Sequence, residues 1–149
     1  MLDRKIRQYY RSTRFVSTLL KDQVKDKRRD DRYLFSALTN PALVEPWLTA
    51  IAQCGSPVAG VFMAPTLSGN LLTKLGVSPA RTLVAAPHHS GLRLTFYKNG
   101  EFCSSRLTRA LPKDADEAAH VLGTELANTR LYLSTLHLDS LDEPLSVLL

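Results

Sequence analysis

His88 and His89, followed by Ser90, are the residues whose types come nearest to a reactive group. Neutral imidazoles can ligate a transition metal or move a proton near neutral pH. In an extended chain, however, neighbouring side chains face opposite sides, so both rings reach one ion only where the backbone turns. No third ligand of metal type lies close in sequence, and the pair is expected to be structural or solvated. His120 and His137, both on a predicted helix, are too far apart along it to share a site. Cys54 and Cys103 stand alone, with no metal-ligand spacing around either, and are expected as buried free thiols. A two-metal nuclease would need carboxylates clustered on strands, yet Glu101 is the only acidic residue between positions 82 and 109. No GxxxxGK[ST] phosphate loop occurs. The remaining charged feature is the N-terminus, where Arg4, Lys5, Arg7, Arg11 and Arg14 are opposed only by Asp3 and interleaved with Tyr9 and Tyr10. Such a segment can meet nucleic acid, an anionic surface or an acidic protein, although a solvated arm is the favoured reading. The expected inventory is therefore no catalytic set, no metal, no cofactor and no enzyme activity.

The elements that would carry these residues are most legible over positions 82–137. Residues 82–86 form a short apolar run, residues 92–98 alternate apolar and polar, and residues 101–108 are rich in β-favouring types. Asn99-Gly100 between the last two supplies the positive backbone angles of a two-residue hairpin. A long helix follows, capped by Asp114 with Glu117 three residues on. Ala115, Ala119, Leu122, Leu126, Thr129, Leu133 and Leu136 recur along it at helical steps and are expected to face a sheet. Residues 144–149 then read as a strand, apolar enough to be interior.

Upstream, residues 13–20 and 33–39 predict a β-hairpin around the mixed-charge segment 21–32, which is expected to be an exposed turn. Asn40-Pro41 predicts a helix start, with Leu43, Val44, Trp47, Leu48 and Ile51 on the apolar face and Trp47 in the core; Gly55 ends it. Residues 58–63 (VAGVFM) predict a buried strand. Pro65-Thr66 opens a second helix that closes at Gly76, and Ser78-Pro79 leads into the next strand. The formal charge of +5 is uneven: residues 1–32 carry 11 Lys and Arg against 5 Asp, and the remaining 117 carry 8 against 9 acidic residues. At 149 residues a sizeable core is possible, and no apolar run approaches a membrane span, so a cytoplasmic protein is expected.

This element order, with residues 40–63 and above all LRLTFYKNGEFCSSRL at 92–107, where the Asn99-Gly100 turn is followed by Ser105-Arg106, resembles the actin-like ATPase superfamily. Within it the chain looks like the PilM, GspL and MshI group of bacterial scaffolds, which recruit pilus or type II secretion machinery at the inner membrane. The resemblance implies an α+β (α/β) fold: a ribonuclease H-like fragment of an actin-like ATPase domain, with a mixed sheet and packed helices. Residues 1–12 would be a basic arm or short helix, residues 13–79 the end of a first lobe, and residues 80–149 the start of a second. A longer protein, with a nucleotide lobe before Met1 and further elements after Leu149, is expected. ATP-binding members place an Asp-x-Gly phosphate loop after the first strand of the second lobe. Aligned through Asn99-Gly100, Ala86 stands in place of that aspartate and His88 in place of that glycine, and Pro87 removes an amide donor. The resemblance therefore implies a non-enzymatic interaction scaffold with protein partners, which include the inner-membrane assembly machinery. The alternatives are an ATPase whose remaining site lies outside this chain, and a nucleic-acid-binding module using the basic N-terminus. A homodimer through the C-terminal edge strand is a secondary expectation.

Overall fold

The computed structural model describes residues 2–26, 28–77 and 80–149, with no side-chain description for residues 2, 3 and 22–30. Ser78-Pro79 lies outside the described residues. The chain divides into two compact units, residues 1–61 and 62–149.

The first unit contains helix α1 (Leu2–Tyr9), strands β1 (Val16–Asp26) and β2 (Arg28–Ala37), a 3-10 turn (Pro41–Leu43) and helix α2 (Glu45–Gln53). The expected hairpin forms, but the mixed-charge segment is not an exposed turn. The antiparallel ladder runs through it to Asp26 opposite Arg28, with a register shift between Leu20 and Asp22. The register sets Asp22 opposite Arg32 and Lys25 opposite Arg29, so the pairing follows the backbone ladder rather than a simple matching of charge signs. Pro41 opens a 3-10 turn without a cap bond from the Asn40 side chain, and α2 proper starts at Glu45. Trp47 is not in a core: it is 72% exposed, Leu43 67% and Ile51 40%. Periodicity reports that a helix has an apolar face and is silent on whether anything covers it. Residues 58–63 are likewise not a strand but irregular and exposed, because an apolar run becomes a strand only beside an edge that completes its backbone hydrogen bonds. Among the described residues of this unit only Ile6 is a buried hydrophobic.

The second unit holds the core. It comprises helix α3 (Ala64–Lys74), strands β3 (Arg81–His88), β4 (Gly91–Lys98) and β5 (Glu101–Leu107), helix α4 (Ala115–Thr135) and strand β6 (Ser146–Leu148). The sheet order is β5-β4-β3-β6, with β3, β4 and β5 antiparallel and β6 parallel to β3. The fold of this unit is thus α+β, with a mixed sheet and packed helices. Asn99 (φ 52°) and Gly100 (φ 77°) make the two-residue turn that their types predict. One sheet face presents Leu83, Ala85, Leu92, Leu94 and Phe96 to Leu133 of α4, with Leu122 and Leu126 packed alongside. Thr129 and Leu133 of the expected α4 stripe are buried, but so is Val121 from outside it, whereas Ala115, Ala119 and Leu136 are exposed. The start of α4 matches its cap signal, since the Glu117 amide donates to Asp114 Oδ1 at 2.9 Å, a bond worth about 1 kcal/mol. His137 lies beyond the helix end at φ 55°. Among the described residues β6 pairs on one side, with β3, over only three residues.

The opposite sheet face buries Thr82, Thr95 and Tyr97. There α3 comes so close that a Cβ on Gly69 would lie 2.1 Å from the Gly100 carbonyl oxygen. Tyr97 donates its hydroxyl to the Pro65 carbonyl at 2.8 Å, tying α3 to β4. Burial raises the Tyr97 phenol above its ordinary value of 10.0. The folded state then holds that proton more tightly than the unfolded chain, so this contribution is complete below about pH 10 and is lost as pH rises through the folded value. Tyr97→Phe is expected to cost about 1 kcal/mol at neutral pH through the lost hydrogen bond and to flatten the alkaline decline. Urea unfolding of both proteins at neutral and alkaline pH checks this; equal alkaline slopes would refute it.

Candidate functional site

The sheet positions Ala86 and His88 at the far end of β3. Ala86 is half-buried opposite Arg93, and His88 is exposed opposite Gly91, with His89-Ser90 forming the turn to β4. The chain does turn at the histidines, yet His88 and His89 both face solvent, and no group of three His, Cys, Asp or Glu suited to a metal occurs among the described residues. Alternation puts Ala86 on the face that also carries Arg93, Thr95 and Ser105. There Arg93 Nη1 donates to Ser105 Oγ at 3.4 Å, and Ser105 and Thr95 hydroxyls lie 3.1 Å apart. This patch offers a guanidinium and two hydroxyls but no carboxylate; an alanine methyl at position 86 cannot organise a cation. Arg106, next along β5, faces the other way and meets Glu125 of α4 at 3.4 Å. The Ser105-Arg106 pair is therefore divided between the two sheet faces.

The basic residues of the N-terminal segment differ in their surroundings. Arg4, Lys5 and Arg7 are exposed on α1, and Arg11 is exposed just beyond it. Arg14 is engaged instead, pairing with Glu45 at 3.2 Å and lying 5.1 Å over the Phe15 ring. The thiols also differ from expectation: Cys54 is exposed just after α2, and Cys103 is half-buried at the irregularity in β5, where its Sγ approaches the Glu101 carbonyl at 3.5 Å. Cys103 nevertheless packs against the core cluster, whereas Cys54 does not belong to it.

Sequence reasoning missed a buried charge cluster around Arg81. Arg81, at the start of β3, is 7% exposed. Its Nε donates to Asp139 Oδ1 and its Nη2 to the Ser140 carbonyl, both at 2.6 Å; the guanidinium also pairs through Nη2 with Asp139 and through Nη1 with Glu143. From α4, Arg130 Nη2 donates to the carbonyls of Leu141 (2.8 Å) and Glu143 (2.5 Å). The two arginines bind the α4–β6 connection from both sides and so hold β6 beside β3. Asp139 has a fully buried side chain, while that of Glu143 is 65% exposed. The cluster acts as a clamp on the connection, although not every polar atom in it is satisfied: Arg130 Nε and Asp139 Oδ2 are buried without a hydrogen-bond partner among the described residues. The sole hint in the sequence was a charged residue abutting the apolar run at 82–86, and nothing linked it to carboxylates 58 and 62 positions away.

Compared with family models, with curated proteins and with solved structures, the chain has no significant match.

Proposed function

We propose that this chain is a non-enzymatic interaction scaffold of ribonuclease H-like, actin-like architecture, related to the bacterial proteins that assemble pili or type II secretion systems. The observation that carries the reading is the order β5-β4-β3-β6, with an α4 crossover placing β6 parallel to β3. Three antiparallel strands, a helix and a parallel fourth strand are the beginning of a ribonuclease H-like lobe. At the β3–β4 turn, where an ATP-binding lobe needs an aspartate and a glycine, the residues are Ala86 and His88, and β3 continues as a regular strand through both. The reading thus joins the lobe's strand order to a turn unsuited to phosphate and metal.

Two measurements test it. Titration with Mg-ATP, followed calorimetrically, is expected to give no heat of binding; saturable binding would favour the ATPase alternative. Affinity purification from bacterial cells, with this chain as bait, is expected to enrich inner-membrane pilus or secretion components over a scrambled-sequence control, and enrichment of none would remove the scaffold reading. The exposed Arg4, Lys5, Arg7 and Arg11 favour a second reading, binding of a polyanion. That reading requires affinity for single-stranded nucleic acid that falls steeply with salt and is lost in the Arg7→Ala, Arg11→Ala double variant. Under the scaffold reading neither effect is seen.

A further inference from the structure

Helix α3 has one occupied face and one open face. Gly69 and Leu72 are buried, with Gly69 against Gly100 and Tyr97. The open side carries Met63, Leu67, Leu71 and Leu75, with Phe62 beside them. These four recur at steps of four residues, which aligns them as one stripe along the helix. They are 43%, 52%, 55% and 64% exposed, and Phe62 is 67% exposed. Lys74 is the only charged residue in α3.

We propose that this stripe is covered by a second copy of the chain, α3 against α3, antiparallel about a twofold axis level with residue 69. Three observations select a second copy. The stripe is self-complementary, because the axis sets Met63 opposite Leu75 and Leu67 opposite Leu71. No like charges meet, because Lys74 falls opposite position 64, an alanine. Finally, the five side chains leave on the order of 500 Å² open per copy, so covering them completely in two copies would bury about 1,000 Å², which only reaches the lower bound for a specific protein interface. The edge of β6 offers far less, with Val147 and Leu149 alone as large exposed hydrophobics over positions 146–149. The inference does not depend on the scaffold reading, since self-association and capture of other proteins are measured separately.

Sedimentation equilibrium of the full chain is expected to give twice the 16.6 kDa of one copy at high concentration, with reversible dissociation on dilution. The L67E/L71E variant is expected to weaken the dimer by about 100-fold or more, with an unchanged far-UV spectrum, as central apolar contacts dominate such interfaces. If that variant loses its spectrum, the single substitution L75K at the exposed end becomes the readout and is expected to shift the protein toward one copy with its fold intact. V147K, at the edge of β6, is expected to leave the dimer unaltered. A wild-type chain that stays single at every concentration overturns the proposal. So does a dimer that survives L67E/L71E, or one that only V147K dissociates.

Discussion

Asp139→Ala is expected to lower the unfolding free energy by about 3–5 kcal/mol, because it leaves the buried Arg81 guanidinium without its buried counter-charge. Arg81 is 7% exposed and the Asp139 side chain fully buried, so water cannot replace the lost carboxylate as it would at the surface. Glu143, on the other side of the same guanidinium, is 65% exposed. Its replacement by Gln should therefore cost no more than about 1 kcal/mol, the range of an exposed ion pair. The contrast between two partners of one arginine is the discriminating feature. The paired substitution of Arg81 by Met with Asp139 by Leu should recover much of the loss, since a buried ion pair is often replaceable by apolar packing. Chemical denaturation of the four proteins decides the matter. A loss below about 1 kcal/mol for Asp139→Ala would mean that the clamp is solvated or loosely held. Hydrogen exchange adds a local readout: amides of β6 and the adjoining edge of β3 should lose protection first, because β6 has only three paired positions and the clamp holds the connection leading into it.

Gly91→Ala should destabilise by at least about 3 kcal/mol, for two reasons that add at one atom. Gly91 adopts φ +140°, a conformation that side chains rarely enter. A Cβ there would also lie 2.1 Å from the Thr108 carbonyl oxygen, and a backbone atom cannot rotate aside as a side chain can. Relief requires moving the end of β5, where the Thr108 amide donates to the Leu92 carbonyl at 2.8 Å and the Leu92 amide to the Arg109 carbonyl at 3.2 Å. Leu92 belongs to the core cluster, so the disturbance reaches the packing beneath α4. Thermal unfolding monitored by circular dichroism gives the measurement, and a change smaller than about 1 kcal/mol would show that the hairpin end yields freely. Gly123→Ala is the matched comparison: no atom lies within 4 Å of its would-be Cβ, and in the helix interior alanine is favoured over glycine by roughly 1 kcal/mol.

The sequence by itself was enough for the elements whose signals are local. The Asn99-Gly100 turn, the alternation along β4, the Asp114 cap and the ends of α2 and α3 at Gly55 and Gly76 depend on backbone angles and neighbours within a few residues. Tertiary structure decided whatever depends on a distant partner. Residues 58–63 and Trp47 have the composition of a strand and of a core, but composition does not supply the neighbouring edge or the covering face, and both are exposed. Residues 21–32 read as a charged loop, whereas the backbone ladder continues through them to Asp26 opposite Arg28. Most of all, the clamp joining Arg81 to Asp139 spans 58 positions and has no periodicity to betray it. Local signals fix dihedral angles, whereas the pairing of buried charges depends on which segments the folded sheet brings together.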